Sequence, residues 1–325
     1  MRILMISTDR KIFEPPSEVK SRMLNYASQV DELFIVILGT NRRLKIEGKL
    51  KYIGMTRWRA LFWKPARPAG GSAESFDLIT SQDPFETGFI AWRLARQLRA
   101  KLELQIHADL GSPYFWRESW LNKIRFLLAN FLLPKADQIR VVSQRIANYL
   151  QATSYKLQAT PAVRPIVVDV EKIKNAPITI DLHKKYPQFS KIILMASRLT
   201  REKNIRLAIE AMREILKRQP KVGLVIVGSG PEESKLKLLA SSFQLLENII
   251  FESWASASIL FSYYKTCDLF LVTSLYEGYG MTLVEAQAAG CRIVSTDVGV
   301  AREVGASIVS FVPKGTVEAI LDKIK

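Results

Sequence analysis

Two glutamates, Glu277 and Glu285, fall in the stretch of this chain best suited to chemistry: Ser274-Leu275-Tyr276-Glu277-Gly278-Tyr279-Gly280-Met281-Thr282-Leu283-Val284-Glu285-Ala286. An apolar, strand-like run over residues 268–273 leads into it. The chain then bends through Gly278 and Gly280 and enters an apolar, helix-like segment over 281–289. The pattern predicts one carboxylate on the loop after a strand and the other in the first turn of a helix, with a row of backbone N–H groups between them. Ionised carboxylates accept paired hydroxyl protons through charge-assisted bonds, and N–H groups that open a helix suit an anion. Such a row can hold a sugar hydroxyl, a phosphate and a ribose in sequence. A second reading stays open: Thr282-x-x-Glu285 also matches a capping box, in which Glu285 only closes the helix.

Three further features of the second half fall at predicted strand ends. Arg198 and Lys203 lie on the loop after the strand 191–196, Gly228-Ser229-Gly230-Pro231 follows the strand 222–227, and Phe251-Glu252-Ser253-Trp254 ends the strand 249–252. In the first half His107 ends the apolar strand 102–107, with Asp109 close behind. Strand-like runs over 2–6, 33–38, 78–80, 102–107 and 138–142 alternate with helical patterns over 17–30, 86–98, 116–133 and 144–150. The second half repeats the rhythm: strands over 191–196, 222–227, 249–252, 269–273, 292–295 and 308–311, helices over 204–218, 232–243, 256–265, 281–289 and 316–324. Alternation of this kind predicts an α/β protein of two Rossmann-like, doubly wound parallel-sheet domains facing an interdomain cleft. The domains are expected over 1–163 and 164–325, with a hinge near Pro161–Pro165 in the proline-bearing, weakly periodic stretch 151–190. Residues 57–75 read as a long loop. In doubly wound sheets ligands gather outside the carboxyl ends of the strands, so the four strand-end features of the second half point at one crevice.

The order strand, SRLTREKN, strand, VGSGPE, strand, FESW, YKTCDLFLVTSLYEGYGMTLVEAQAAG resembles the group 1 (family 4) retaining glycosyltransferases of the GT-B fold. In the first half FDLITSQDPFETGFIAWRLARQL, LQIHADL and IRVVSQRIANYL are similar to that family's amino-terminal domain. The resemblance runs over nearly the whole chain and is densest over 191–303. It implies an acceptor-side first domain and a nucleotide-sugar-binding second domain. It further implies that Arg198 and Lys203 bind the donor diphosphate, and that Glu277, first of an E-x7-E motif, binds the donor-sugar hydroxyls. Glu285, the second, would bind the ribose. Gly228, Gly230, Gly278 and the N–H groups of Gly280, Met281 and Thr282 would complete the pocket, and His107 would stand near the reacting centre. Cations and N–H donors at the leaving diphosphate stabilise charge that builds in the transition state. No metal and no cofactor is implied, the nucleotide-diphosphate sugar being a co-substrate. The acceptor would be a saccharide or lipid-linked, in bacterial surface-polysaccharide or glycolipid synthesis. Two departures stand out: the first loop reads Ser7-Thr8-Asp9-Arg10-Lys11-Ile12-Phe13-Glu14-Pro15-Pro16 instead of glycine-rich, and the chain reaches Lys325 after one helix, where the family generally continues to a helix that crosses back. They keep open a catalytically degenerate paralogue that binds nucleotide-sugar or a membrane surface without turnover. A phosphorylase-like or epimerase activity is the other enzyme reading.

The 325 residues carry a net charge of +16, unevenly spread. Residues 1–165 hold 26 Lys/Arg against 14 Asp/Glu, while 166–325 hold 21 against 17. Anionic headgroups, nucleic acid or phosphorylated substrates fit such a field, as does a plain solubility bias. Cations interleave with aromatics over 57–67 and 114–126, a composition suited to the headgroup zone of a membrane. No nucleic-acid reading module is present. Cys267 and Cys291 without a CxxC argue for a reducing compartment and against a disulfide framework or zinc site. His107 and His183 are too few for a His-rich metal centre. The opening Met1-Arg-Ile-Leu-Met-Ile6 is too short for a signal peptide, and no apolar run is long enough to span a bilayer. The expected location is cytoplasmic, peripheral on the inner face of the membrane.

Overall fold

Runs such as KIILMA and VGLVIV are apolar at consecutive positions, which half-buried strands are not. A strand covered on both faces needs apolar side chains at every position. In the computed structural model, which describes residues 1–14, 17–63, 76–153, 156–309 and 316–324, these two runs are neighbours inside the second of two largely parallel sheets. The chain divides into two compact units, Met1–Arg164 and Pro165–Lys325.

The first unit contains β1 (Arg2–Ser7), β2 (Glu32–Leu38), β3 (Arg42–Glu47), β4 (Leu50–Met55), β5 (Leu78–Ser81), β6 (Lys101–Ile106), β7 (Gln138–Val141) and β8 (Ala162–Val163). They lie in the order β3-β4-β2-β1-β5-β6-β7-β8, and the β3–β4 pair is antiparallel. The second unit contains β9 (Lys191–Ala196), β10 (Val222–Val227), β11 (Ile249–Glu252), β12 (Leu269–Val272), β13 (Ile293–Thr296) and β14 (Ser307–Val309), in the order β11-β10-β9-β12-β13-β14. Counted by first appearance, with the β3 hairpin strand and the two-residue edge strand β8 apart, both sheets carry the 3-2-1-4-5-6 order of doubly wound folds. The order reverses between β9 and β12 in the second unit, which is where such sheets open a crevice.

Successive strand residues point to opposite faces, so β9 feeds two cores. Ile193 and Met195 pack with Val222, Leu224 and the helix Ile205–Arg218, while Ile192 and Leu194 pack with Val225, Phe270, Tyr264 and the helix Met281–Ala288. Several predicted elements differ from the observed ones. The helical pattern 116–133 is two helices, Pro113–Arg117 and Trp120–Leu132, because Ser119 breaks the run and caps the second with its side chain. The predicted loop 57–75 starts as a helix, Arg57–Phe62, capped by Thr56, and its residues 64–75 lie outside the described residues, as do residues 310 and 311 of the predicted strand 308–311. The hairpin β3–β4 had no expectation: RRLKIE is almost wholly exposed, so it lacks the apolar signal of a central strand. The stretch 151–190 holds β8 and two short helices, Val170–Asn175 and Leu182–Lys185, each N-capped by an aspartate. Cys267 and Cys291, remote in sequence, precede the neighbouring strands β12 and β13, and their Sγ atoms are 3.3 Å apart as free thiols.

Gly223, in the fully buried β10, leaves room for Phe189: a Cβ there would lie 2.2 Å from the ring. Forcing a side chain into a packed core costs about 1–3 kcal/mol. Gly223→Val is therefore expected to lower the urea midpoint by a stability loss of that size, and an unchanged midpoint would show that the Phe189 packing is loose.

Candidate functional site

The crevice of the second unit is built by the segments leaving β9 and β12. After β9, Ser197–Thr200 runs into the turn Arg201–Lys203, and Asn204 takes a left-handed conformation before the helix Ile205–Arg218. Asparagine tolerates that conformation better than most residues. The Thr273 hydroxyl, buried at the end of β12, contacts the carbonyl oxygens of Lys203 and Asn204 at 3.0 Å each. That clamp fixes the backbone from which the Lys203 side chain projects.

Lys203 Nζ donates to Glu277 Oε1 in an ion pair, and the Ser274 hydroxyl donates to the same oxygen at 2.8 Å. Among the described residues no protein donor is paired with Oε2 of Glu277, which leaves it open to a ligand. The loop carrying Glu277 is fixed at both ends. Leu275 N donates to the carbonyl of Glu202, and Val300 N donates to the carbonyl of Tyr279. A small pocket between these segments is lined by Ser197, Lys203, Thr273, Ser274, Glu277 and Thr282 among others.

Two glycines allow the close approach. Gly228, at φ +142, sits where a Cβ would lie 1.9 Å from the carbonyl oxygen of Ser197, so the β10 loop can lie on the β9 loop only as glycine. Gly230 presses likewise on Leu199, and Leu199 N donates to the Ser229 carbonyl at 2.9 Å. Gly280, at φ +86, is the N-cap of Met281–Ala288 and contributes no side-chain cap. The first N–H groups of that helix are therefore left without an intrahelical acceptor or a capping side chain.

The capping-box reading of Thr282 and Glu285 is thus set aside: Gly280, not Thr282, is the N-cap. Glu285 stands in the second turn of the helix and not, as expected, the first. It shares a face with Thr282, three residues before it, and accepts from Tyr264 OH at 3.2 Å. Burial raises its pKa above the ordinary 4.5, against the Tyr264 hydrogen bond. Arg198 borders the loop but is 68% exposed and pairs with Glu202 Oε1 at 3.2 Å. Gly278 and Met281 lie on the loop and the first helical position between Glu277 and Thr282. Glu252 is not free for ligand: its carboxylate accepts from Lys185, Tyr186 and Tyr263.

In the first unit His107 directly follows β6, with part of its side chain open to solvent. Packing around its ring still desolvates it, and with Arg140 and Arg22 nearby its pKa is lowered. Asp109 is buried in an ion pair with Arg145 Nε at 3.0 Å and caps the turn at Gly111, a structural arrangement. The first loop forms a short turn, Arg10–Phe13, capped by Asp9. No group of three or more His, Cys, Asp or Glu able to hold a metal ion occurs among the described residues. Sequence reasoning missed Thr273, Ser274 and Thr296, whose hydroxyl donates to the Ser274 carbonyl at 2.7 Å. The available signal was hydroxyl residues directly after apolar strands.

Residues 181–325 match the family model of glycosyl transferases group 1. The chain is 25% identical over 229 residues to alpha-monoglucosyldiacylglycerol synthase of Streptococcus pneumoniae, covering 67% of this chain and 51% of that protein. It spans about half or less of the length of the first curated relatives it matches. Its fold is that of sucrose-phosphate synthase from Thermosynechococcus elongatus, at TM-score 0.75 and 18% identity over 100% of this chain and 90% of that one. Anabaena HepE, solved in complex with UDP and glucose, superposes at TM-score 0.70 and 18% identity, over 100% of this chain and 89% of its own.

Burial of Glu285 has a pH signature. A carboxyl whose folded pKa is raised binds more protons folded than unfolded between its two pKa values, so stability falls as pH rises through that window. The loss is complete above the raised value and absent below about 4.5. Glu285→Gln is expected to melt higher than the parent protein at pH 8, with the gap shrinking toward pH 4. A gap independent of pH would mean the carboxylate is as well solvated folded as unfolded.

Proposed function

We propose that this chain, whose residues 181–325 match the group 1 glycosyltransferases and which has the GT-B fold, is such an enzyme and moves a sugar with retention from a nucleotide-diphosphate donor to a saccharide or lipid-linked acceptor. One observation carries the reading: a cation, a carboxylate and an uncapped helix N-terminus meet at the point where the strand order of the second sheet reverses. Lys203, joined by Arg198 when it swings from Glu202, binds the donor diphosphate together with the N–H groups of Gly280, Met281 and Thr282. Glu277 accepts from the donor-sugar hydroxyls through the oxygen left open, and Glu285 from the ribose. Gly228 and Gly230 admit the nucleotide close to the backbone.

The chemistry is the departure of a nucleoside diphosphate. Negative charge grows on the leaving oxygen as the glycosidic bond breaks, and Lys203 and the helix N-terminus stabilise it without a metal ion. In a retaining transfer on one face of the sugar, that oxygen takes the acceptor's proton, so no separate base is required, and His107 orients the reacting end of the donor. The acceptor belongs to surface-polysaccharide or glycolipid assembly at the cytoplasmic face of a membrane. The likeness to a diacylglycerol glycolipid synthase and the basic first half support that setting.

Loss of one donor to the developing charge typically lowers kcat about 10²–10³-fold. Lys203→Ala and Glu277→Gln are each expected to lose at least 100-fold in sugar transfer, measured across a panel of nucleotide-sugars with product anomer read by NMR. Parent-like rates in both variants, or an inverted anomer, contradict the proposal. Nucleotide binding without turnover of any donor would instead identify a binding-only paralogue.

A further inference from the structure

The helix Trp120–Leu132 has two apolar faces, and the first unit packs only one of them. Ala129 and Leu132 are buried on the inner side, with Asn122 tied to the Phe115 carbonyl. On the outer side Trp120 is 72% exposed, Ile124 42%, Leu127 65% and Phe131 44%. At roughly 100° per residue these four side chains fall within about 60° of arc. Scattered exposed apolar residues are ordinary, but a contiguous exposed apolar patch marks an interaction site. The preceding short helix Pro113–Arg117 adds Tyr114 and Trp116, each more than a third exposed.

The charge around the stripe is mostly of one sign: from Arg117 to Ala136 four cations stand against one carboxylate, Glu118, which accepts from Asn122. Residues 119–136 contain Lys123, Arg125 and Lys135 and no Asp or Glu. Lys135 Nζ lies 3.8 Å from the centre of the Phe131 ring, and the Arg117 guanidinium lies 5.1 Å from that of Trp116. Cations held beside exposed aromatics on an amphipathic helix match the headgroup boundary of a bilayer. A protein partner would have to supply all the acidic groups itself, whereas an anionic leaflet offers them everywhere along the helix. At about 1.5 Å per residue the helix is roughly 20 Å long, short of the ~30 Å hydrocarbon core, and no helix among the described residues is long and apolar enough to cross a membrane.

We propose that Trp120–Leu132 lies in the plane of an anionic bilayer, with Trp120, Ile124, Leu127 and Phe131 sunk into the headgroup–acyl boundary and Arg117, Lys123 and Lys135 on lipid phosphates. The inference deepens the membrane setting proposed above and rests on it. It adds that apolar insertion, not charge alone, holds the protein at the surface. Two signals are what stable anchoring requires, since a basic patch by itself is screened away by salt.

The test is co-sedimentation of the full 325-residue chain with vesicles, without nucleotide-sugar, so its failure leaves sugar transfer untouched. Vesicles of equal phosphatidylglycerol and phosphatidylcholine are compared with phosphatidylcholine alone, at low and high salt. The parent protein is expected to partition at least tenfold more strongly to the anionic vesicles, and Leu127→Glu or Trp120→Ser to lose at least tenfold of that binding. Both positions face solvent, so melting temperature and turnover of a soluble acceptor are expected to stay as in the parent. Lys123→Glu is expected to weaken binding and flatten its salt dependence. Three results would overturn the proposal. One is no anionic-vesicle binding by the parent protein. The second is undiminished binding by both stripe variants. The third is a parent dimer in sedimentation velocity that Leu127→Glu dissociates, which assigns the stripe to a second copy of the chain.

Discussion

The ion pair between Lys203 and Glu277 joins the two segments that leave the second sheet at its switch point, and the candidate site is organised around it. Both side chains are largely shielded from water, at 14% and 16% exposure. Taking two charges out of water is costly, and removing one partner of a buried pair typically costs roughly 3–5 kcal/mol. The surroundings offset that cost in part: Ser274 adds a second donor to the carboxylate, and Thr273 secures the backbone under the lysine. In the proposed cycle Lys203 meets the arriving diphosphate while Glu277 takes the sugar hydroxyls through its open oxygen. The charges are already oriented before the ligand comes, so little reorganisation is left for the moment of bond cleavage.

The backbone around the pair follows the same logic. Apolar strands carry the fold as far as their carboxyl ends, where the buried residues change to Thr273, Ser274, Ser295 and Thr296. A buried hydroxyl without a partner is costly, and each of these four has one. Beyond them Gly228 and Gly280 take conformations or approaches closed to other residues, which brings backbone groups instead of side chains to the crevice. Glu285 fits this picture as a carboxylate kept in a place that raises its pKa, a strain that the core packing around Tyr264 sustains.

Much of this was legible in the residues. The central strands β9 and β10 start and stop where the sequence pattern places them, because a strand buried on both faces has no polar option. The pairing of Lys203 with Glu277, 74 positions apart, was expected only as a shared crevice; its geometry depends on strand order, which local pattern does not encode. The exposed hairpin strand β3 carried no hydrophobic period, and the break at Ser119 inside an otherwise helical run was hidden by apolar residues on both sides. Thr273 and Ser274 were passed over because a hydroxyl next to a strand is unremarkable until its partners are known. Arg198 was expected beside Lys203, yet it leans on Glu202, since an exposed arginine settles on the nearest carboxylate when no phosphate competes.

The central claim is that Lys203 serves a diphosphate. Calorimetric titration of matched nucleoside diphosphates and monophosphates into the parent protein and Lys203→Ala tests it most directly. The account predicts that the preferred diphosphate binds at least tenfold tighter than its monophosphate, and that the variant erases most of this difference. Equal affinity for the two nucleotides in the parent protein, or a preference that survives loss of Lys203, contradicts it.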